Sequence, residues 1–144
     1  MEECQLAELC MGVQHVGIPT GAYMETIQFY KVLGFLNVFE TFQPNGKRVA
    51  FLELENLMLE IYESDSANLN TGAIDHIAIG VSDITKVFQT IKKLGFKIIE
   101  GEIKFLPFWE YGVRYFTILG PNGERLEYNQ KLTENGKEHL EHAI

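Results

Sequence analysis

Basic charge is scarce in this chain. Its 12 lysines and arginines face 20 aspartates and glutamates, a net charge of −8. Neutralising a phosphate backbone needs clustered Lys and Arg, so a general nucleic-acid binder is excluded. The deficit does not bar a small anionic substrate, because one local cation or a metal can outweigh the global field. Cysteine is sparse too: Cys4 and Cys10 could pair only across a short loop of little structural use. Free thiols in a reducing cytoplasm are therefore expected. No apolar run approaches the roughly 20 residues of a membrane span. Met1-Glu2-Glu3 offers no basic leader region. These absences lead to the expectation of a cytoplasmic protein without nucleic-acid or membrane partners. What remains, 144 residues of which 46% are hydrophobic, suits one domain or two small modules sharing a core.

The informative positive feature is self-similarity. Gln14–Ile18 reads as a short strand, and so does Asp75–Val81. A helical pattern follows each: Ile27, Tyr30, Val32 and Leu33 in the first, Ile84, Val87, Phe88, Ile91 and Leu94 in the second. Both patterns end at Leu-Gly-Phe, at Gly34-Phe35 and Gly95-Phe96, where glycine supplies the left-handed residue of a helix end. Asp83 is placed to cap the second helix. Three strand-like runs then follow each helix, at Leu36–Phe42, Arg48–Leu54 and Leu57–Glu63, and at Lys97–Ile103, Val113–Leu119 and Arg125–Gln130. Pro44-Asn45-Gly46 and Gly120-Pro121-Asn122-Gly123 punctuate the turns. The expected fold class is α+β, two tandem βαβββ modules forming a curved mixed sheet around a metal cleft. Module one covers 12–63, a Ser/Asn/Asp-rich linker 64–72 and module two 73–131; 132–144 is a loose or helical tail. His139 and His142 in that tail read as surface residues.

Side chains alternate across a strand, so the face of each candidate ligand can be read. Val16 and Ile18 share a face suited to the helix, leaving His15 and Gly17 on the other. Ile77, Ile79 and Val81 do the same, leaving His76, Ala78 and Gly80. Glu60 lies opposite Leu59 and Ile61, and Glu127 opposite Leu126 and Tyr128. Each module thus offers one His from its first strand and one Glu from its last, 45 residues apart in the first and 51 in the second. A lone His in a strand is more often structural, and a lone Glu more often faces solvent. The same types at equivalent positions on matching faces argue for ligands, since carboxylates facing a cleft are costly without a cation. Two imidazoles and two carboxylates suit one first-row divalent ion with vacant positions for substrate.

With these residues in place, the sequence resembles the vicinal oxygen chelate superfamily, which includes glyoxalase I, methylmalonyl-coenzyme A epimerase, extradiol dioxygenases and fosfomycin-resistance proteins. The resemblance runs from about Gly12 to Lys131. It is carried by His15-Val16-Gly17-Ile18, the helix end Phe29-Tyr30-Lys31-Val32-Leu33-Gly34-Phe35, Asp75-His76-Ile77-Ala78, and Gly120-Pro121-Asn122-Gly123-Glu124-Arg125-Leu126-Glu127. The His, Glu, His, Glu order is similar to glyoxalase I. The resemblance therefore implies a metal-dependent lyase or isomerase that transfers a proton next to a carbonyl through a metal-bound enediolate. It implies His15, Glu60, His76 and Glu127 as metal ligands, and one ion from nickel, cobalt, zinc, manganese or iron, with nickel or zinc favoured. Glu127 is the implied base and Glu60 its partner; the implied assembly is a homodimer.

One departure bears on substrate. Glyoxalase I has an Arg shortly after the first His and an Asn shortly after the first Glu to anchor glutathione. Here those segments read Val16-Gly17-Ile18-Pro19-Thr20 and Ile61-Tyr62-Glu63-Ser64. This points away from the usual glutathione hemithioacetal, towards the hemithioacetal of a different thiol or another hydroxy-carbonyl compound. Phe105-Leu106-Pro107-Phe108-Trp109-Glu110-Tyr111-Gly112 reads as a loop whose Phe105, Trp109 and Tyr111 line a substrate pocket or seal an interface. Arg114 or Lys104 could anchor a substrate carboxylate, or either is a plain surface charge. Two other classes stay open: a drug-sequestering protein of the bleomycin-resistance type, and an iron-dependent extradiol-type dioxygenase. The ligand set speaks against both.

Overall fold

A computed structural model of the chain describes residues 7–134. Cys4, the tail histidines His139 and His142, and the rest of the expected tail beyond Glu134 lie outside the described residues. The chain divides into two compact units, Met1–Asn68 and Leu69–Ile144, and the division falls within the Ser64–Gly72 segment. No described helix is long and apolar enough to cross a membrane. Cys10 is a free, exposed thiol.

The first unit contains β1 (Val16–Thr20), α1 (Tyr23–Val32), β2 (Leu36–Phe42), β3 (Arg48–Leu54) and β4 (Leu57–Glu63). Its four strands order as β1-β4-β3-β2. β1 runs parallel to β4, and the other pairs are antiparallel. The second unit repeats this plan with β5 (Ile77–Gly80), α2 (Ile84–Lys93), β6 (Lys104–Leu106), β7 (Val113–Leu119) and β8 (Arg125–Lys131), in the order β5-β8-β7-β6. Each unit therefore has one four-stranded mixed sheet with a helix between its first and second strands. The α+β architecture of two tandem βαβββ modules is the observed fold.

The alternation along the strands decides which face each helix covers. In unit 1, Leu59 and Ile61 pair with Leu52 and Ala50, and all four are fully buried with Tyr30 of α1. In unit 2, Leu126 pairs with Ile118 and Tyr128 with Phe116, and these meet Ile84, Ile91 and Phe88 of α2. Both helices stop at the expected glycines, Gly34 at φ +100 and Gly95 at φ +86. Gly34 N–H donates to Lys31 and Phe35 N–H to Tyr30; Gly95 and Phe96 repeat this with Lys92 and Ile91. This is the paired helix-end bonding that a left-handed glycine permits, and the Phe35 ring closes it edge-on against Tyr30 at 5.1 Å. Asp83 caps α2 by accepting from Lys86 N–H at 3.1 Å.

Four sequence-derived boundaries need correction. β1 and β5 begin at Val16 and Ile77, so both histidines stand immediately before their strands. β8 continues one residue further, to Lys131. The expected strand over Lys97–Ile103 is absent. Ile98 makes an isolated bridge to Ile118, and Gly101, at φ +79, turns the chain back with its N–H on Ile98. The Glu100 carboxylate takes the Thr117 N–H and hydroxyl at 2.7 and 2.8 Å, in place of a backbone carbonyl. The edge strand resumes at Lys104–Leu106 against Val113–Tyr115. Phe105 and Leu106 are therefore strand residues, and only the segment after them is a turn.

Candidate metal centre

In unit 1, His15 Nε2 stands 4.0 Å from Glu60 Oε1. Its other ring nitrogen, Nδ1, is bonded to Gln14 Oε1 at 2.9 Å. An amide oxygen only accepts, so Nδ1 donates to it and Nε2 is the nitrogen that faces the carboxylate. Gly17 pairs with Glu60 across the parallel ladder. A Cβ there would sit 3.6 Å from Glu60 Oε1, so any longer side chain would crowd the carboxylate. Phe51, opposite Glu60 on β3, meets the His15 ring edge-on at 5.8 Å. The β2 bulge between Asn37 and Phe39 brings Phe39 opposite Phe51, extending an apolar row beside the pair.

Unit 2 repeats the arrangement. His76 Nε2 lies 3.6 Å from Glu127 Oε1, and His76 Nδ1 donates to Asp75 Oδ2 at 2.9 Å. Ala78 pairs with Glu127. Glu127 has a further partner: Asn129 Nδ2 donates to its Oε2 at 2.8 Å. The Glu127 side chain is 16% exposed, against 28% for Glu60. Among the described residues no group of three or more His, Cys, Asp or Glu side chains gathers at one point. The donors come as one His–Glu pair in each unit.

The donor chemistry fits a divalent ion. Two donors bonded to one ion at about 2.1 Å each can stand at most ~4.2 Å apart, and both Nε2–Oε1 separations fall within that reach. In each pair the group behind the imidazole holds the tautomer a ligating histidine needs.

The secondary candidates are placed differently. Trp109 is 73% exposed and stands on an open groove beside β5 and β8. Tyr111 is half-buried in the turn before β7. Arg114 pairs with Phe105 and Gln130 and donates to Thr85 at the start of α2 at 3.3 Å. Two-residue alternation puts both Arg114 and Phe105 on the sheet face opposite Glu127. Desolvation by burial lowers the Arg114 pKa, against a smaller raising effect of Asp83. Lys104 is paired with Glu102 at 2.8 Å. Asn129, Ser82 and Lys131 line the groove and were not singled out from the sequence, although β8 alternation puts Glu127, Asn129 and Lys131 on one face.

The model of the glyoxalase/bleomycin resistance protein/dioxygenase superfamily matches residues 12–128. The chain belongs to this superfamily. An uncharacterised protein of Bacillus subtilis strain 168, YwbC, is 34% identical over 125 residues, covering 83% of this chain and 97% of its own. A glyoxalase family protein from Enterococcus faecalis superposes with a TM-score of 0.68 at 25% identity, covering 83% of this chain and 97% of that one. The fosfomycin resistance protein FosX of Listeria monocytogenes, solved with Mn(II) and sulfate, matches with a TM-score of 0.64 at 18% identity over 88% of this chain and 97% of its own. The two solved structures share the fold of this chain over most of its length.

Proposed function

We propose that the chain is a metal-dependent lyase or isomerase of the glyoxalase I kind. Its substrate is a small hydroxy-carbonyl compound or a hemithioacetal, and the reaction transfers a proton next to the carbonyl. His15, Glu60, His76 and Glu127 hold the ion, with nickel or zinc favoured. The observation that carries this reading is the repeated pair: in each unit an imidazole with Nδ1 engaged directs Nε2 at a carboxylate within one ion's reach. FosX, of the same superfamily, binds Mn(II). When bound, a divalent ion polarises a carbonyl oxygen and stabilises the charge that builds there during C–H ionisation.

The remaining work falls to side chains. Glu127 is the base that takes the proton, with Glu60 as its partner. Asn129 holds Glu127 Oε2, so this carboxylate stays in position while Oε1 is free to exchange partners. Phe51 and Phe39 supply an apolar wall on the Glu60 side, which excludes water from a carbanion-like centre. The compartment is the reducing cytoplasm, and the working unit is a homodimer.

The test is turnover in deuterated solvent. Metal-loaded protein is given methylglyoxal with each of several thiols, and separately simple hydroxy-carbonyl compounds, and deuterium entry next to the carbonyl is followed by NMR. At least one substrate should exchange, and chelation should stop it. Metal-loaded protein that exchanges none of them overturns the activity while leaving the metal site to be judged by metal content.

A further inference from the structure

The face that carries His76 and Glu127 does not end at Glu127. Along β8, Glu127, Asn129 and Lys131 follow at two-residue intervals, roughly 6.6 Å per step. Opposite them, Ala78 pairs with Glu127 and Gly80 with Asn129. The small residues of β5 leave an open groove of about 520 Å³, bounded by Asn129, Lys131, Ser82 and the Trp109 ring. This groove begins at Asn129, whose amide already touches Glu127.

Two details single out its far end. Trp109 adopts φ +64, a left-handed conformation that bulky residues rarely occupy and that persists where the surroundings hold it. Its ring lies under Lys131, whose ammonium stands 4.1 Å from the ring centroid. Among the described residues Lys131 has no carboxylate within 4 Å; the lysines and arginines that do are Lys47, Arg48 and Lys104. In a chain of net charge −8, an ammonium with no carboxylate partner among the described residues, held over an aromatic ring at the end of a groove, is a local site for an anion.

We infer that Lys131, Trp109 and Ser82 form a substrate subsite for the carboxylate end of a small organic anion. The Lys131 ammonium carries the charge recognition, the Ser82 hydroxyl is a second donor, and the indole is an apolar wall for the body of the ligand. The preferred substrates are then hydroxy-carbonyl compounds that also bear a carboxylate. This deepens the proposed function and rests on it for the reacting end at His76 and Glu127; the subsite itself needs no metal.

Trp109 is the only tryptophan in the sequence, so its emission reports on the groove directly. The experiment titrates the full chain with phenylacetate and with its neutral counterpart phenylacetamide. Both titrations are run after chelator treatment, so that no ion can hold the carboxylate. Phenylacetate should shift Trp109 emission saturably and bind about tenfold more tightly than the amide, the scale of one charge-assisted contact. Lys131→Met should remove that preference, Lys131→Arg should keep it, and Ser82→Ala should weaken binding by a smaller factor. Equal response to acid and amide, no response to either, or an unchanged preference in Lys131→Met overturns the subsite. Metal content of the same preparations is read separately. Loss of the metal claim therefore leaves the titration intact, and loss of the titration leaves the metal claim intact.

Discussion

In unit 1 the imidazole has an amide behind it, Gln14, and an aromatic edge beside it, Phe51. In unit 2 the equivalent imidazole has a carboxylate behind it, Asp75, and a groove runs alongside. The carboxylates differ in the same sense. No hydrogen-bond donor reaches the Glu60 oxygens among the described residues, whereas Glu127 is anchored by Asn129 and less exposed. The two units present the same donor atoms in different surroundings. A carboxylate behind His76 makes its Nε2 the stronger donor, and an anchored Glu127 is suited to move one oxygen while the other stays fixed. Under the proposed function, Glu127 of unit 2 is therefore the base, and unit 1 supplies the second His–Glu pair.

That asymmetry can be broken at several points. The largest effect is expected at the carboxylates. Glu127→Gln should lower kcat by roughly 10²–10⁴-fold, the usual contribution of a positioned base, and Glu60→Gln by less. Steady-state rates normalised to metal content check this, and equal losses would remove the division of labour. Next come the groups behind the imidazoles. Asp75→Asn should weaken metal affinity by about 10–100-fold and Gln14→Ala by less, as competition against a chromophoric chelator would report. Asn129→Leu should leave metal content unchanged and cost about 1.5 kcal/mol of transition-state stabilisation, a modest value for a partly exposed bond to a charged group. A variant that loses its metal instead would make Asn129 part of the ligand support.

The smallest effect belongs to unit 1 alone. Arg48 bonds Glu63 with its side chain at 2.9 Å and its backbone N–H at 2.7 Å. The side-chain bond is the larger cause holding the Glu63 carboxyl down at about 2, from an ordinary 4.5. A folded-state pKa below the unfolded one means stabilisation that is present above 4.5 and lost as pH falls towards 2. Glu63→Gln should therefore be less stable than the parent at neutral pH, by a small margin for an exposed pair. The two should converge near pH 2 in denaturant titrations; a pH-independent difference would contradict the assignment.

Much of this was legible in the sequence because it rests on repetition. Strand alternation identified the buried rows at Leu59, Ile61 and Leu126, and the glycines after both helices marked their ends. Local bonding was what alternation could not reveal. The Lys97–Ile103 run has the apolar content of a strand, yet Gly101 turns it and Glu100 replaces a backbone acceptor with a side chain. Arg114 read as a possible substrate anchor, but its register puts it on the opposite face from Glu127. Lys131 looked like the last residue of the fold, and only the left-handed turn at Trp109 gives it a partner. Gln14 and Asp75 read only as the first residues of their strands, because alternation says nothing of a hydrogen bond to the neighbouring imidazole.

The proposed function rests on His15, Glu60, His76 and Glu127 holding one ion. The most direct measurement is metal per chain by elemental analysis, on protein purified without chelator and then offered nickel or zinc. The parent, His15→Ala and His76→Ala should be compared side by side. The parent should hold close to one ion per chain and both variants should lose it, with folding intact by circular dichroism. A parent that takes up no ion, or either variant retaining the parent's affinity and stoichiometry, would contradict it.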